Sequence, residues 1–467
     1  MEIEKEQPTN RPQPSGEGEG RREGRFWRGL AAWGRRWCSL WPWVVVATLA
    51  ALIALDLARV WRVTNHHDLE VFMLAARRLA AGEDIYADAA QFKAAVEGGT
   101  FSMKDATVVW PYAYGPLIAL CFVPALWLPY EVVQAAWWGI NVAALFVGCW
   151  LCLRAMGPAT PWRLALALFF IYRFEPAVVT LRLGQIELVQ FLLLALAFYA
   201  LSRSWERLGG LALGLAAGLK FFPAALIALL LWRRRWRAAG WAMGSAVLLT
   251  VGSFALVGWE ALGRYLHYAS LYGIGGAFAA FPLNQSFNGF FSRNLMRNVF
   301  TATLKGMHLP GLAKGLTIGC DLAVILASAW LTWHREGWPA APGEGERRRF
   351  SLEFALGVVA LLLVSPHSQV YTFVWALIAL IAFALEGPAL AGARWGQYVG
   401  LLVAYFLLGR NLVLFRPGLT RFVQAHYLFG ALILWGLIGL ALWRARRGGR
   451  VTRRGAFASS ECSEWGG

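Results

Sequence analysis

Cysteine is scarce and unpatterned in this chain: six residues in 467, at positions 38, 121, 149, 152, 320 and 462, most of them inside apolar segments. No paired doublets recur, so neither a disulfide scaffold nor a cysteine metal site is implied. Cys149 and Cys152 form one CxxC, but inside a helical apolar run the plainer reading is two packing or lipid-facing thiols. Acidic residues are also few, 27 against 44 Lys and Arg, for a net charge of +17. That surplus does not imply nucleic-acid binding, because the arginine clusters lie between apolar segments, where they act as topology determinants. No internal repeat is evident, no clear small-residue cleavage site follows the first apolar run, and the loops leave no room for a separate soluble domain.

What is abundant is apolar length. Hydrophobic residues make up 58% of the chain, with 25 Trp, and apolar runs recur that match a hydrocarbon core of roughly 30 Å. The fold class expected is all-α and polytopic. Residues 1–42 read as a disordered, basic cytoplasmic tail, 43–443 as the transmembrane domain and 444–467 as a second basic cytoplasmic tail. The basic connections, from Arg154 to Arg163, Arg203 to Arg207, Arg233 to Arg237 and Arg335 to Arg349, and at Arg394, can all be placed on the cytoplasmic side at once. That placement demands about twelve crossings, near 43–61, 131–153, 163–181, 186–202, 208–219, 222–232, 238–258, 313–333, 350–366, 370–387, 397–413 and 425–443. The pair 208–219 and 222–232 is interrupted at Lys220-Phe221-Phe222-Pro223 and reads as two half-length helices meeting within the membrane. The run 116–128 is short and reads as re-entrant or tilted, although a full crossing there would reverse part of the topology.

With this topology two long loops, Trp61 to Gly115 and Trp259 to Leu312, face outward. In the first, Leu69, Phe72, Met73, Ala76, Leu79 and Ala80 follow a helical period, which predicts an amphipathic helix lying on the outer membrane face. At its start lies His66-His67-Asp68-Leu69-Glu70. An acid held beside a bilayer is a functional candidate by default, so Asp68 is the leading catalytic residue; a plain first-turn or capping carboxylate is the alternative. The adjacent histidines lack metal-ligand spacing, and no metal is expected.

The same face gathers other polar groups that a membrane fold does not require. Lys220, at the broken pair, fits a phosphate anchor or a snorkelling cation, and Arg182 fits a second phosphate contact or an interfacial anchor. Tyr114, Gln185, Asn284, Arg293 and His367 complete the substrate-binding candidates, with Tyr112, Gln285, Asn288, Ser365 and Gln369 close by. Turn chemistry at Asn284 to Asn288 and a loop hydrogen bond from His367 are the structural alternatives.

One succession of blocks carries more than any single residue. Asp68 is followed by Ala-Ala-Arg-Arg-Leu-Ala-Ala-Gly-Glu-Asp-Ile-Tyr, then Tyr-Gly-Pro-Leu, Gly-Gln-Ile-Glu, Gly-Leu-Ala-Ala-Gly-Leu-Lys-Phe-Phe-Pro, Asn-Gln-Ser-Phe-Asn-Gly and Ser-Pro-His-Ser. In that order, from residue 43 to 440, the chain resembles glycosyltransferase family 87, a GT-C-type membrane family of polyprenyl-phosphate-mannose-dependent α-mannosyltransferases. The resemblance implies an inverting transferase of the cell membrane that acts at its outer face. Its donor is a polyprenyl-phosphate sugar, and its acceptor is a hydroxyl of a glycolipid or envelope glycan. It implies no cofactor and no nucleotide at the site, with Asp68 as base, Lys220 on the donor phosphate and His367 near the acceptor. Tyr-Gly-Pro stands where many relatives have Tyr-Pro-Pro, and Phe-Phe-Pro follows the lysine; both departures touch donor details. A transporter or lipid flippase would also combine broken helices with buried polar residues, but it usually carries inverted repeats.

Overall fold

The computed structural model describes residues 17–100, 110–300, 308–333, 343–392, 394–411 and 423–463. Among these the backbone is helical, and the only strand-like pairing is an isolated bridge between Asn284 and Gln369. The first part of the chain contributes α1 (Glu17–Arg62), α2 (His67–Ala80), α3 (Ala89–Glu97), α4 (Pro116–Phe122), α5 (Tyr130–Ala155) and α6 (Pro161–Ile171). The centre contributes α7 (Glu175–Leu183), α8 (Glu187–Ser202), α9 (Glu206–Leu219), α10 (Ala225–Trp232), α11 (Trp236–Val257) and α12 (Glu260–Ala269). Then follow α13 (Phe287–Leu295), α14 (Pro310–Thr332), α15 (Glu344–Val364), α16 (Ala376–Ala391), α17 (Trp395–Gly409) and α18 (His426–Ser463).

Among the described residues six stretches are long and apolar enough to cross a membrane: Leu40–Arg62, Tyr130–Ala155, Trp236–Val257, Pro310–Thr332, Val370–Leu390 and His426–Arg447. The twelve-crossing expectation counts shorter helices as full spans. α8 has 16 residues and α17 has 15, against the ~20 that a straight span needs. The expected crossing at 163–181 is divided: α6 and α7 meet at 62°, which makes them at most a seventh, bent span. The bend falls at Tyr172 to Phe174, where Arg173 takes a left-handed conformation and Pro176 sits in the first turn of α7. Neither expected tail boundary is a break in the backbone, because α1 begins at Glu17 and α18 runs on to Ser463. Arg, Ala and Glu favour helix as readily outside a membrane as inside it. Residues 1–16 of the first tail and 464–467 of the second lie outside the described residues.

Two hydrophobic cores result. The larger is built from the helix bundle, with α16 and the 3-10 turn before it at its centre; Trp375, Leu377, Ile378, Leu380 and Ile381 are fully buried. The smaller joins the two long loops into one cap. Phe92 of α3 packs on Tyr268 and Phe278, Trp110 packs on Phe278 and Phe281, and Arg264 pairs with Asp84 at 3.2 Å. α2 forms over the expected residues, but the apolar face expected to lie on the membrane surface turns into this cap. Phe72 meets the rings of Tyr114 and Phe122, and Leu69, Met73 and Ala76 are buried. The segment 116–128 is α4 followed by a 3-10 turn, Val123–Trp127, and it lies under α2.

A tight glycine seam holds α9 against α11. A Cβ on Gly210 would stand 2.4 Å from the Ala238 carbonyl oxygen, and one on Gly214 would stand 2.5 Å from that of Ala242. The seam leads to the break after Leu219, where Lys220 adopts an extended conformation before the 3-10 turn Phe222–Ala224 and α10. This is the interruption that the sequence predicts.

Candidate active site

The N-terminus of α2 is fixed by the loop after α7. The backbone N–H groups of Asn65 and His66 donate to the Arg182 carbonyl at 3.2 and 3.0 Å, and His66 takes a left-handed conformation at φ 47°. Gly184, itself at φ 71°, leaves only van der Waals room beside Leu69, and Trp137 donates from its indole to the Gly184 carbonyl at 2.7 Å. These contacts place Asp68, the second residue of α2, beside Gln185. Neither His66 nor Asp68 caps the helix with its side chain, so the capping role open to the aspartate is not the one it fills.

Gln185 is the hinge of the site. It is buried, its amide oxygen accepts from the Tyr114 hydroxyl at 2.9 Å, and its amide lies beside the Asp68 carboxylate, whose charged form it favours. Two residues on, at the start of α8, Glu187 is fully buried and meets Lys220 Nζ at 2.5 Å. The ammonium lies over the rings of Tyr114 at 5.4 Å and Tyr371 at 5.2 Å. Gln190 braces the helix break, donating to Ala216 O at 2.9 Å, which also accepts from Lys220 N–H, and to Lys220 O at 3.4 Å.

These groups surround a cavity of about 410 Å³. Its polar lining includes Tyr114, Lys220, Tyr272, His367, Gln369 and Tyr371, and Phe221 and Leu266, both largely exposed, stand at its edge. Asp68 does not line the cavity; partly exposed, it joins the lining through Gln185. Enclosure in protein and the nearby Glu187 charge push its carboxyl up to about 7, with Gln185 and Lys220 opposing. His367 is pulled down to about 3 by burial and by Lys220, which keeps it neutral. One ring nitrogen meets the Gln369 amide nitrogen at 2.6 Å, and the ring packs edge-on against Tyr272 at 4.7 Å. Tyr272 in turn shares a 2.6 Å hydroxyl contact with Tyr268.

The predicted residues therefore separate into two groups. Asp68, Tyr114, Gln185, Lys220 and His367 are brought together, with Gln369 beside them. Arg182, Asn284 and Arg293 are not. The Arg182 side chain is exposed near Glu175, away from the cavity lining, and what it gives the site is its backbone carbonyl. Arg293 is buried and donates to the carbonyls of Phe281, at 3.0 Å, and Asn284, at 2.5 Å. Asn284 clasps two loops: its amide donates to Ala279 O at 2.9 Å and Pro366 O at 3.1 Å, and its oxygen accepts from Ser368 N–H at 3.1 Å. Asn288 adds a 2.8 Å bond to Pro366 O, and Gln285 N–H donates to Ser368 O at 2.7 Å. Both loops reach the cavity, but these amides hold the loop carrying His367 and do not face the space. Tyr112 likewise serves the backbone, donating to Gly115 O at 2.6 Å.

Removing the clasp separates the two roles. Asn284→Ala leaves the Ser368 N–H without its acceptor while the Pro366 carbonyl keeps its bond from Asn288, a destabilisation of about 1–3 kcal/mol for the buried group left unsatisfied. Denaturant unfolding of the purified protein should therefore report a less stable fold. Unchanged stability with weakened substrate binding would return Asn284 to the substrate.

The residue that sequence reasoning missed is Glu187. It stands in Gly-Gln-Ile-Glu at the head of an apolar run, and the rule that singles out Asp68, an acid where an acid is costly, applies to it as well. Among the described residues no three His, Cys, Asp or Glu side chains gather as a metal-binding group.

Comparison with known proteins bears on this arrangement. The model of the family described as Glycosyltransferase family 87 matches residues 112–366, which span Tyr114, Gln185, Glu187 and Lys220 and are flanked by Asp68 and His367. The chain is 33% identical over 294 residues to a Mycolicibacterium smegmatis polyprenol-phosphate-mannose-dependent alpha-(1-2)-phosphatidylinositol pentamannoside mannosyltransferase, covering 61% of this chain and 65% of that protein. It is 27% identical over 391 residues to a Mycobacterium tuberculosis polyprenol-phosphate-mannose-dependent alpha-(1-2)-phosphatidylinositol mannoside mannosyltransferase, covering 76% and 78%. A second M. tuberculosis protein, again a pentamannoside mannosyltransferase by name, is 29% identical over 393 residues, covering 81% and 80%. The chain thus spans just under two thirds of the first of these relatives and more of the other two.

Proposed function

The chain belongs to glycosyltransferase family 87, and on that premise we propose that it is an inverting membrane transferase. It moves a hexose, mannose by analogy with its relatives, from a polyprenyl-phosphate sugar to a hydroxyl of a glycolipid or lipid-linked glycan at the outer membrane face. The observation that carries the reading is the junction at Gln185, which ties the Asp68 carboxylate to a cavity lined by tyrosines, a histidine and a lysine.

In this mechanism the acceptor oxygen attacks the anomeric carbon as the bond to the phosphate oxygen breaks, and Asp68 takes the hydroxyl proton. A sugar hydroxyl is a poor nucleophile, and a positioned base contributes typically 10²- to 10⁴-fold. The leaving phosphate is already ionised, so no general acid need protonate it. Lys220 faces the cavity with its charge shared by Glu187, and it stabilises the phosphate as negative charge collects there. The neutral His367 and the hydroxyls of Tyr114, Tyr272 and Tyr371 supply hydrogen bonds for orienting sugar hydroxyls.

The base must be ionised to act, and its carboxyl sits at about 7. The transfer rate at low substrate should therefore fall about tenfold per pH unit below that value and level off above it. A pH–rate profile with purified protein and a polyprenyl-phosphate sugar checks this; a rate that is flat from pH 5 to 8, or that falls as pH rises, overturns Asp68 as the base.

A further inference from the structure

The end of the bundle away from the Lys220 cavity holds a second cavity. α15 runs toward Ser365-Pro366-His367, and α8 runs away from Glu187, so the start of α15 and the end of α8 meet at the opposite end. The 21 residues of α15 put that end roughly 30 Å from His367 at 1.5 Å per residue. There a cavity of about 480 Å³ is lined by Arg154, Arg163, Arg203, Arg347 and Arg348, with Glu344 and Glu386. Five guanidinium groups thus share the space with two carboxylates.

Those carboxylates are taken by two of the arginines. Glu386 lies 3.9 Å from Arg163 and 3.4 Å from Arg348, and Glu344 pairs with Arg348 as well. Arg154, Arg203 and Arg347 have no carboxylate partner among the described residues. Arg203 uses one N–H on the Arg154 carbonyl at 3.1 Å, and Nε of Arg154 is buried without any hydrogen-bond partner. Arg203 reaches water, while Arg154 and Arg347 are half-buried. These converge on one cavity, where like charges repel and a buried donor is left unmet, unless an anion enters. The guanidinium fork matches phosphate oxygens two at a time. The cavity also sits at a membrane boundary, since Arg154 lies in the last turn of the span Tyr130–Ala155.

We propose that this cavity is a binding site for a phosphate group, supplied by the head group of an anionic phospholipid. Free inorganic phosphate offers the same chemistry from solution, and the test distinguishes the two. The purified full-length protein is placed in nanodiscs of phosphatidylcholine alone, of phosphatidylcholine with phosphatidylglycerol, or of phosphatidylcholine with millimolar inorganic phosphate in the buffer. Phosphatidylglycerol should raise the melting temperature by at least about 3 °C, as a ligand that binds only the folded state does. The Arg154→Gln/Arg347→Gln variant should lose that shift, while Arg59→Gln/Arg62→Gln, which removes the same charge from an exposed stretch of α1, should keep it.

A shift from inorganic phosphate alone, with the same dependence on Arg154 and Arg347, keeps the phosphate site and assigns it a soluble ligand. No shift with either, or equal loss in both variants, overturns the site. Native mass spectrometry of the unmodified protein guards against a variant that fails to fold. Retention of phosphatidylglycerol over phosphatidylcholine is expected, and indifference between them overturns the lipid assignment.

Discussion

Asp68→Asn should yield a folded, normally purified protein whose transfer rate is lower by about 10²-fold or more. Asparagine keeps the size and polarity of the side chain, and its oxygen can still lie beside the Gln185 amide, so the junction with Tyr114 survives. What it loses is the capacity to take a proton at neutral pH. The substitution costs the fold little because Asp68 caps nothing and is partly exposed. Initial rates with a polyprenyl-phosphate sugar, together with a melting curve, decide the matter. Near-normal turnover in Asp68→Asn, with turnover abolished in Glu187→Gln, would move the base to Glu187.

The second large effect concerns the pair formed by Lys220 and Glu187. Lys220→Met leaves a fully buried carboxylate without its partner, and breaking a buried pair from one side costs about 3–5 kcal/mol. Glu187→Gln should cost less, because the ammonium left behind faces the cavity and can be hydrated there. The double variant should recover most of the stability lost in Lys220→Met and none of its transfer activity. That outcome would separate the lysine's role in folding from its role at the leaving phosphate. Full recovery of activity in the double variant would mean that Lys220 serves only to neutralise Glu187.

Several elements of this site are legible in the sequence because polar groups stand out against apolar surroundings. Asp68, Lys220 and His367 each interrupt a pattern, and the break at Lys220 carries its own proline, Pro223, in the turn Phe222–Ala224. The tyrosine and glutamine of the junction follow from the same logic. What the sequence does not display is direction. Arg182 is an arginine in the right loop, but its side chain turns outward while its carbonyl, which every residue possesses, does the positioning. Asn284 and Arg293 are polar and buried, but their partners are backbone carbonyls brought close only by folding. Span counting turns on a related point. Hydropathy registers apolar length alone: α8 is apolar because it is packed in the bundle, whereas α17 turns Val399, Leu402, Val403 and Phe406 outward, and the two read alike in the sequence. The bend between α6 and α7 rests on a left-handed arginine, which no periodicity announces.

The edge of the first cavity has a consequence for kinetics. Phe221 is 75% exposed and Leu266 58%, both apolar, so the opening they frame is wetted by lipid more readily than by water. On the function proposed above, a donor with a long isoprenoid tail arrives there by lateral diffusion. The quantity that saturates the enzyme is then the donor's mole fraction in the bilayer. At fixed total donor, every added molecule of inert phospholipid dilutes the substrate, as added solvent would for an enzyme in water.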